Sequence, residues 1–318
     1  MSALCCNGTH SLTDAIKAPE FSIRFLGPKY WLVWLGVIVL YAITWLPLSW
    51  IRTLGAGAGK LIVMIVPKRA SVARRNIELS FPHLTSEQTD TLVKENIRRT
   101  GMALFETAMG WWWPAWRIKR AFTVEGYEHV EAALAQGKGV FGMAIHNMNL
   151  EFACRGLGYV HPSIAFYRKH NNPLVDYLQY HGRNRSNKYM IHKRNARALL
   201  SALNQTELCL YLPDQDYGKA QSIFVPFGGV EKTATTTATM MFIRRADAVP
   251  VFLSPQYTKN GYKVKFYPPM PELAEMDDEE ALTLLNKHIA EMILEQPESY
   301  LWMHKRFKTR PEGEASLY

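Results

Sequence analysis

From Tyr30 to Ile51 the chain runs 22 residues without a charged side chain. Such a run has to leave water, and a membrane-spanning helix needs about 20 mostly apolar residues. Tyr30, Trp31 and Trp34 crowd one end and Trp45 and Trp50 the other, the spacing of an aromatic belt at two membrane interfaces. The run begins too deep in the chain, and lacks the small-residue cleavage site, for a simple secretory signal. A buried hairpin or an interfacial helix is the alternative; a transmembrane helix over residues 30–51 is the expectation taken forward. A second apolar stretch, Leu61 to Val66, is too short to span. Lys17, Arg24 and Lys29 precede the run, and Arg52, Lys60, Lys68, Arg69, Arg74 and Arg75 follow it. That excess places the following part of the chain on the cytoplasmic side of a single-pass protein. The organisation expected is a tail over 1–29, the spanning helix over 30–51 and one main domain over 52–318.

With 318 residues, 48% of them hydrophobic, the chain has material for a sizeable core. It shows no Pro/Gly/Ser-rich linker, low-complexity tract or internal repeat. SVARRNIELSFPHLTSEQ reads as two helices separated at Phe81-Pro82. Thr85 to Gln88 is a T-x-x-Q capping box that opens a helix running to about Gly110. Beyond Trp111, Trp112 and Trp113, strand and helix patterns alternate. FTVE, Gly139 to Ile145, SIAFYRK and TELCLYL read as strands, MIHKRNARALLSALNQ as a helix and FVPFGGV as a loop. A hairpin turns at Asn260-Gly261. This alternation specifies an α/β fold: a mixed central sheet flanked by helices on both faces.

The formal net charge is +9, which suits nucleic acid, anionic lipid or an acidic protein. No zinc-finger or RNA-binding signature accompanies it, so nucleic acid is not an expected partner. Four cysteines show no metal-site or disulfide spacing. Cys5 and Cys6 fall in the N-terminal tail, whereas Cys154 and Cys209 sit in apolar surroundings and read as structural thiols. No P-loop, dinucleotide fingerprint or metal-ligand cluster is present, so no metal and no cofactor is implied.

Chemistry concentrates in GVFGMAIHNMNLEFACRGLG, residues 139–158. A short buried strand ends at His146, and a helical pattern starts just beyond. Open α/β sheets bind their ligands at this edge. An imidazole here suits general-base activation of a hydroxyl, and Glu151, one turn into the helix, is placed to orient the ring. Five positions do not share a helix face, so the pairing needs His146 to precede the helix.

HNMNLE resembles the H-x4-D/E motif of membrane-bound acyltransferases. With YRKHNNPLVDYLQYHGRNRSNK, YLPDQDYG, FVPFGGVEKTATTTAT and YLWMHKRFKTRP following in order, residues from about Phe21 to Tyr318 resemble the late acyltransferases of lipid A biosynthesis in Gram-negative bacteria, the lauroyl and palmitoleoyl transferases. The glycerophosphate and lysophosphatidate acyltransferases share H-x4-D but lack the RFKTRP ending. The resemblance implies a glycerolipid-acyltransferase-like fold in the inner membrane. It implies acyl carrier protein as donor and a Kdo-bearing tetra-acylated lipid A precursor (Kdo2-lipid IVA) as acceptor, with anionic membrane lipids as surroundings. His146 and Glu151 become the catalytic pair. Arg183 and Asp214 match positions that the family needs for activity, and Arg183 and Arg185 suit phosphate or a developing oxyanion. Arg168 ends a strand on the same rim and is a further phosphate candidate. Asp214 either orients Arg183 or holds its loop in an Asx turn, and Asp216 competes for that role. Lys169 stands where the family commonly has proline. The rival readings are a phospholipid-pathway acyltransferase and a non-catalytic protein that binds anionic lipid.

Overall fold

Every residue of the strand Gly139–Ala144 is buried, as expected of a central strand in a parallel sheet. In the computed structural model, which describes residues 15–318, it is β2 of a sheet ordered β1-β9-β8-β2-β5-β3-β4. The others are β1 (Phe122–Glu125), β3 (Ile164–Tyr167), β4 (Tyr189–His192), β5 (Leu208–Tyr211), β8 (Ala248–Tyr257) and β9 (Tyr262–Phe266). β4, β3, β5, β2 and β8 run parallel. β9 returns antiparallel to β8, and β1 lies parallel to β9. A separate hairpin pairs β6 (Ser222–Phe227) with β7 (Val230–Thr236). Cys5 and Cys6 of the N-terminal tail lie outside the described residues.

The strand alternation divides the core in two. Phe141, Met143 and Ile145 point to one face, where α3 (Pro67–Ser80), α9 (Ala196–Leu203), α10 (Ala238–Arg245) and α11 (Asp278–Glu295) contribute apolar side chains. Val140 and Ala144 point to the other, with α4 (Ser86–Trp112), α5 (Ala115–Ala121), α6 (Glu128–Ala135) and α7 (Leu150–Leu157). The mixed sheet flanked by helices agrees with the sequence, as do the Thr85–Gln88 capping box and the β8–β9 hairpin. Two short segments differ. MIH of MIHKRN is the edge strand β4, with α9 starting only at Ala196, and FVPFGGV is most of a hairpin rather than a loop. Short apolar runs look alike as strand or helix when only periodicity is read.

The 22-residue uncharged run is not one helix. α1 (Trp31–Thr44) ends before Pro47, and α2 (Leu48–Ile65) starts after it and carries Arg52 and Lys60. Proline has no N–H to donate, and it drives the preceding residue out of the helical region, so the break falls where the chain places it. α2 is the one described helix long and apolar enough to cross a membrane. It packs on α4 at very close range: a Cβ on Gly101 would lie 2.0 Å from the Gly55 carbonyl oxygen and 2.1 Å from the Gly59 nitrogen.

Candidate active site

β2 delivers its chain to His146 at the carboxyl edge of the sheet, and α7 begins four residues later. β5 lies beside β2 in parallel register, with Met143 opposite Tyr211. Three residues beyond that pair on each strand come His146 and Asp214. Asp214 is fully buried. Its Oδ1 lies 2.6 Å from His146 Nδ1, and its Oδ2 accepts the His146 backbone N–H at 2.8 Å. Burial pushes this carboxyl up, but the His146 ring, its two hydrogen bonds and Tyr300 outweigh burial and hold it below the usual aspartate range. Asp214 therefore stays ionised and fixes the ring with Nδ1 toward the carboxylate. Nε2 is left for chemistry.

The carboxylate that orients His146 is thus Asp214, not Glu151. Glu151, in the first turn of α7, faces α8 (Pro173–Arg183) instead. Arg183 Nε donates to Glu151 Oε1 at 2.8 Å and Nη2 to Oε2 at 2.7 Å, a two-point fork. Trp111 Nε1 adds a third donor to Oε1 at 2.7 Å. Burial raises the Glu151 carboxyl, but the Arg183 charge and these donors overcome it and lower it overall. The pair stays ionised on both sides. Asp214 is likewise not the partner of Arg183: both of its carboxylate oxygens go to His146.

Asp216 is separated from Asp214 by its contacts. It accepts the Thr309 N–H at 2.7 Å, the Thr309 hydroxyl at 2.9 Å and the Gly218 N–H at 2.8 Å, and so ties the C-terminal segment down. That segment closes the site. Leu301 N–H donates to the His146 carbonyl, Met148 N–H to that of Ser299, and the Tyr300 hydroxyl to that of Asp214. Asn76 and Asn96, both buried, hold it from behind through the carbonyls of Trp302, His304, Glu298 and Tyr300. Within this segment Arg306 and Phe307 are buried. His304 adds a second imidazole, which burial, and then its neighbour His146, hold below the usual histidine value.

Of the remaining expected site residues, Arg168 is exposed at the end of β3. Arg185 donates to the Trp111 carbonyl at 2.6 Å. Neither is among the partners of Glu151 or Asp214. Glu151 and Arg183 open into a cavity whose walls are otherwise mainly apolar, including Ala144, Leu150, Leu157, Phe166, Met190, Leu210 and Leu253. Cys154 is in this wall, its thiol pushed up to about 12 by burial and then by Glu151, which makes it a poor nucleophile. Among the described residues no group of three or more His, Cys, Asp or Glu side chains is placed to hold a metal ion.

The family model for bacterial lipid A biosynthesis acyltransferases matches residues 18–309. The chain belongs to this family. It is 41% identical over 302 residues to the lipid A biosynthesis lauroyltransferase of Escherichia coli (strain K12), covering 94% of this chain and 99% of that protein. It is also 41% identical over 301 residues to the palmitoleoyltransferase of the same strain, covering 94% and 98%. The myristoyltransferase of that strain is more distant, at 26% over 306 residues. This lipid A biosynthesis acyltransferase therefore carries the His146–Asp214 and Glu151–Arg183 pairs within the stretch that defines its family.

Proposed function

We propose that this acyltransferase moves a fatty acyl chain from the thioester of acyl carrier protein to a hydroxyl of the Kdo-bearing, tetra-acylated lipid A precursor, at the cytoplasmic face of the inner membrane. The carrying observation is the His146–Asp214 contact at the sheet edge, with the Glu151–Arg183 fork at the start of the helix that follows His146. The acceptor hydroxyl gives its proton to His146 Nε2 as its oxygen bonds to the thioester carbonyl carbon. Asp214 stabilises the resulting imidazolium. Arg183 spends Nε and one Nη2 hydrogen on Glu151 and keeps Nη1 for an oxyanion or a phosphate. When the tetrahedral adduct collapses, the C–S bond breaks and the leaving thiolate takes the proton from His146. The cavity between α7, α8 and the sheet offers apolar wall for the acyl chain. Transfer is direct: among the described residues the side chain bonded to the His146 ring is Asp214, not a serine or cysteine that could carry the acyl group.

The test supplies purified enzyme with acyl-loaded carrier protein and either the Kdo-bearing lipid A precursor or lysophosphatidate, and reads products by mass spectrometry. One added acyl chain on the lipid A precursor alone is expected, and its loss in His146→Ala. Turnover of lysophosphatidate in preference would assign the enzyme to phospholipid synthesis instead.

A further inference from the structure

Both ends of α1 are fastened to the catalytic domain. Ahead of it, Ile16 N–H donates to the Met190 carbonyl of edge strand β4 at 2.9 Å, and the Tyr180 hydroxyl donates to the Ile16 carbonyl at 3.1 Å. Phe25 and Tyr30 then pack on Leu174 of α8. Behind it, the Trp113 indole and Arg117 Nη1 both donate to the Thr44 carbonyl at 2.6 Å. Past the Pro47 break, Arg52 of α2 holds the carbonyls of Thr258, Lys259 and Gly261. A spanning helix has its two ends in different compartments; here both ends touch one domain. Length agrees, because 14 residues rise only about 21 Å against a hydrocarbon core of about 30 Å.

Yet the outer side of α1 is bare. Leu32 is 80% exposed, Leu35 58% and Ile38 62%, and Trp50 and Met64 of α2 extend the surface. Monomeric soluble proteins rarely carry so large a contiguous apolar face. The exposed cations Arg24 and Lys29 precede it, and Lys60 and Lys68 lie along and beyond its far end. A hydrophobic strip bordered by cations matches one leaflet of an anionic bilayer, acyl chains within and headgroups at the rim. We infer that the protein is monotopic: α1 and the outer face of α2 lie in the cytoplasmic leaflet, parallel to the membrane, and nothing in residues 15–66 crosses it. The Glu151–Arg183 site, reached from α1 through α8 and through Trp113 at the end of α4, then sits at the surface that holds a lipid-borne acceptor.

Two measurements on the full chain decide this. With Cys5 and Cys6 replaced by serine, Glu20→Cys and Glu312→Cys place exposed thiols before α1 and near the C-terminus. In sealed spheroplasts treated with a membrane-impermeant maleimide, neither should label until the membrane is permeabilised. Labelling of Glu20→Cys alone in sealed cells would establish a spanning helix and overturn the inference. Separately, Leu32→Asp/Leu35→Asp/Ile38→Asp should lower binding to phosphatidylglycerol vesicles more than tenfold with an unchanged melting temperature. A detergent-free dimer that ignores vesicles would show that a second copy covers this face, and would equally overturn it. Neither readout depends on which acceptor is acylated.

Discussion

Asp214 grips His146 at two atoms, one oxygen on the ring and the other on the backbone N–H of the same residue. The second bond fixes the carboxylate against the peptide that carries the imidazole, so the ring cannot rotate without losing its partner. Asp214→Asn keeps the shape but removes the charge that stabilises the imidazolium. It should lower kcat on the order of 10²–10⁴-fold with KM little changed, measured on purified, folded enzyme. A near wild-type kcat would remove Asp214 from the proton transfer.

The Glu151–Arg183 fork predicts a different pattern. Arg183→Lys replaces two parallel donors by a point charge, and Glu151→Gln removes one partner of a half-buried ion pair. Each should cost roughly 10- to 100-fold in kcat/KM, from about 1.5–3 kcal/mol for hydrogen bonds to charged groups. The double variant should be little worse than either single one, because both break the same unit. Additive losses would show that the two side chains act separately.

Much of this site was legible in the sequence, and its pairing was not. His146 was visible because a strand end followed by a helix is a local pattern. Asp214 was visible as the first acidic residue after β5. Their meeting depended on β5 lying beside β2, a sheet order that no local pattern encodes. Given that neighbour, the register Met143 to Tyr211 carries 146 to 214 by counting alone. Proximity in the chain pairs Glu151 with His146, and His146 does precede α7 as that pairing requires, yet the ring meets Asp214 and Glu151 turns away from it. Its real partners come from α8 and α4, 32 and 40 positions away. Pro47, near the end of the uncharged run, fits a helix leaving the bilayer as well as it fits the break between α1 and α2 that the structure shows.

In the sequence Trp111 is one of three adjacent tryptophans. The structure gives them separate tasks: Trp111 donates to Glu151, Trp112 meets Tyr41 edge-on, and Trp113 holds Thr44. The Trp111 ring lies so close to α8 that a Cβ on Gly182 would sit 2.4 Å from its Cγ. Trp111→Phe, which keeps the ring and removes the N–H, should therefore reduce kcat about tenfold without lowering Tm. Gly182→Ala should reduce activity in the same sense by displacing the indole. Full activity in Trp111→Phe would leave the fork self-sufficient.

Glu106 is buried on α4, where it accepts the hydroxyls of Tyr257 and Tyr262 at 2.8 and 2.9 Å. Burial raises it from 4.5 to about 7, against the lowering effect of those hydroxyls and of Arg99 and Arg52. Between those two values the folded chain keeps a proton that the unfolded chain has released. The group's contribution to stability is thus full below about pH 4.5 and is lost as pH rises through 7, by roughly 3 kcal/mol. Glu106→Gln should flatten this fall and raise stability at pH 8, checked by denaturant melts at pH 5 and pH 8. An unchanged pH slope would show that Glu106 is already ionised in the fold.

The α2–α4 crossing makes the last prediction, because there the backbones themselves touch. A side chain at Gly101 meets the Gly55 carbonyl and the Gly59 nitrogen, neither of which moves unless the helix moves. Gly101→Val should force α2 away from α4 and cost several kcal/mol, on the order of 3 or more, since overpacking without a flexible neighbour is relieved only by backbone shift. Gly57, two residues from Gly55 on the same helix, has nothing within 4 Å of its added Cβ. Gly57→Ala should be neutral or stabilise by about 0.5–1 kcal/mol through helix propensity alone. Thermal melts of the two variants in the same detergent separate contact from propensity: comparable destabilisation by both would mean that α2 does not rest on α4 as described.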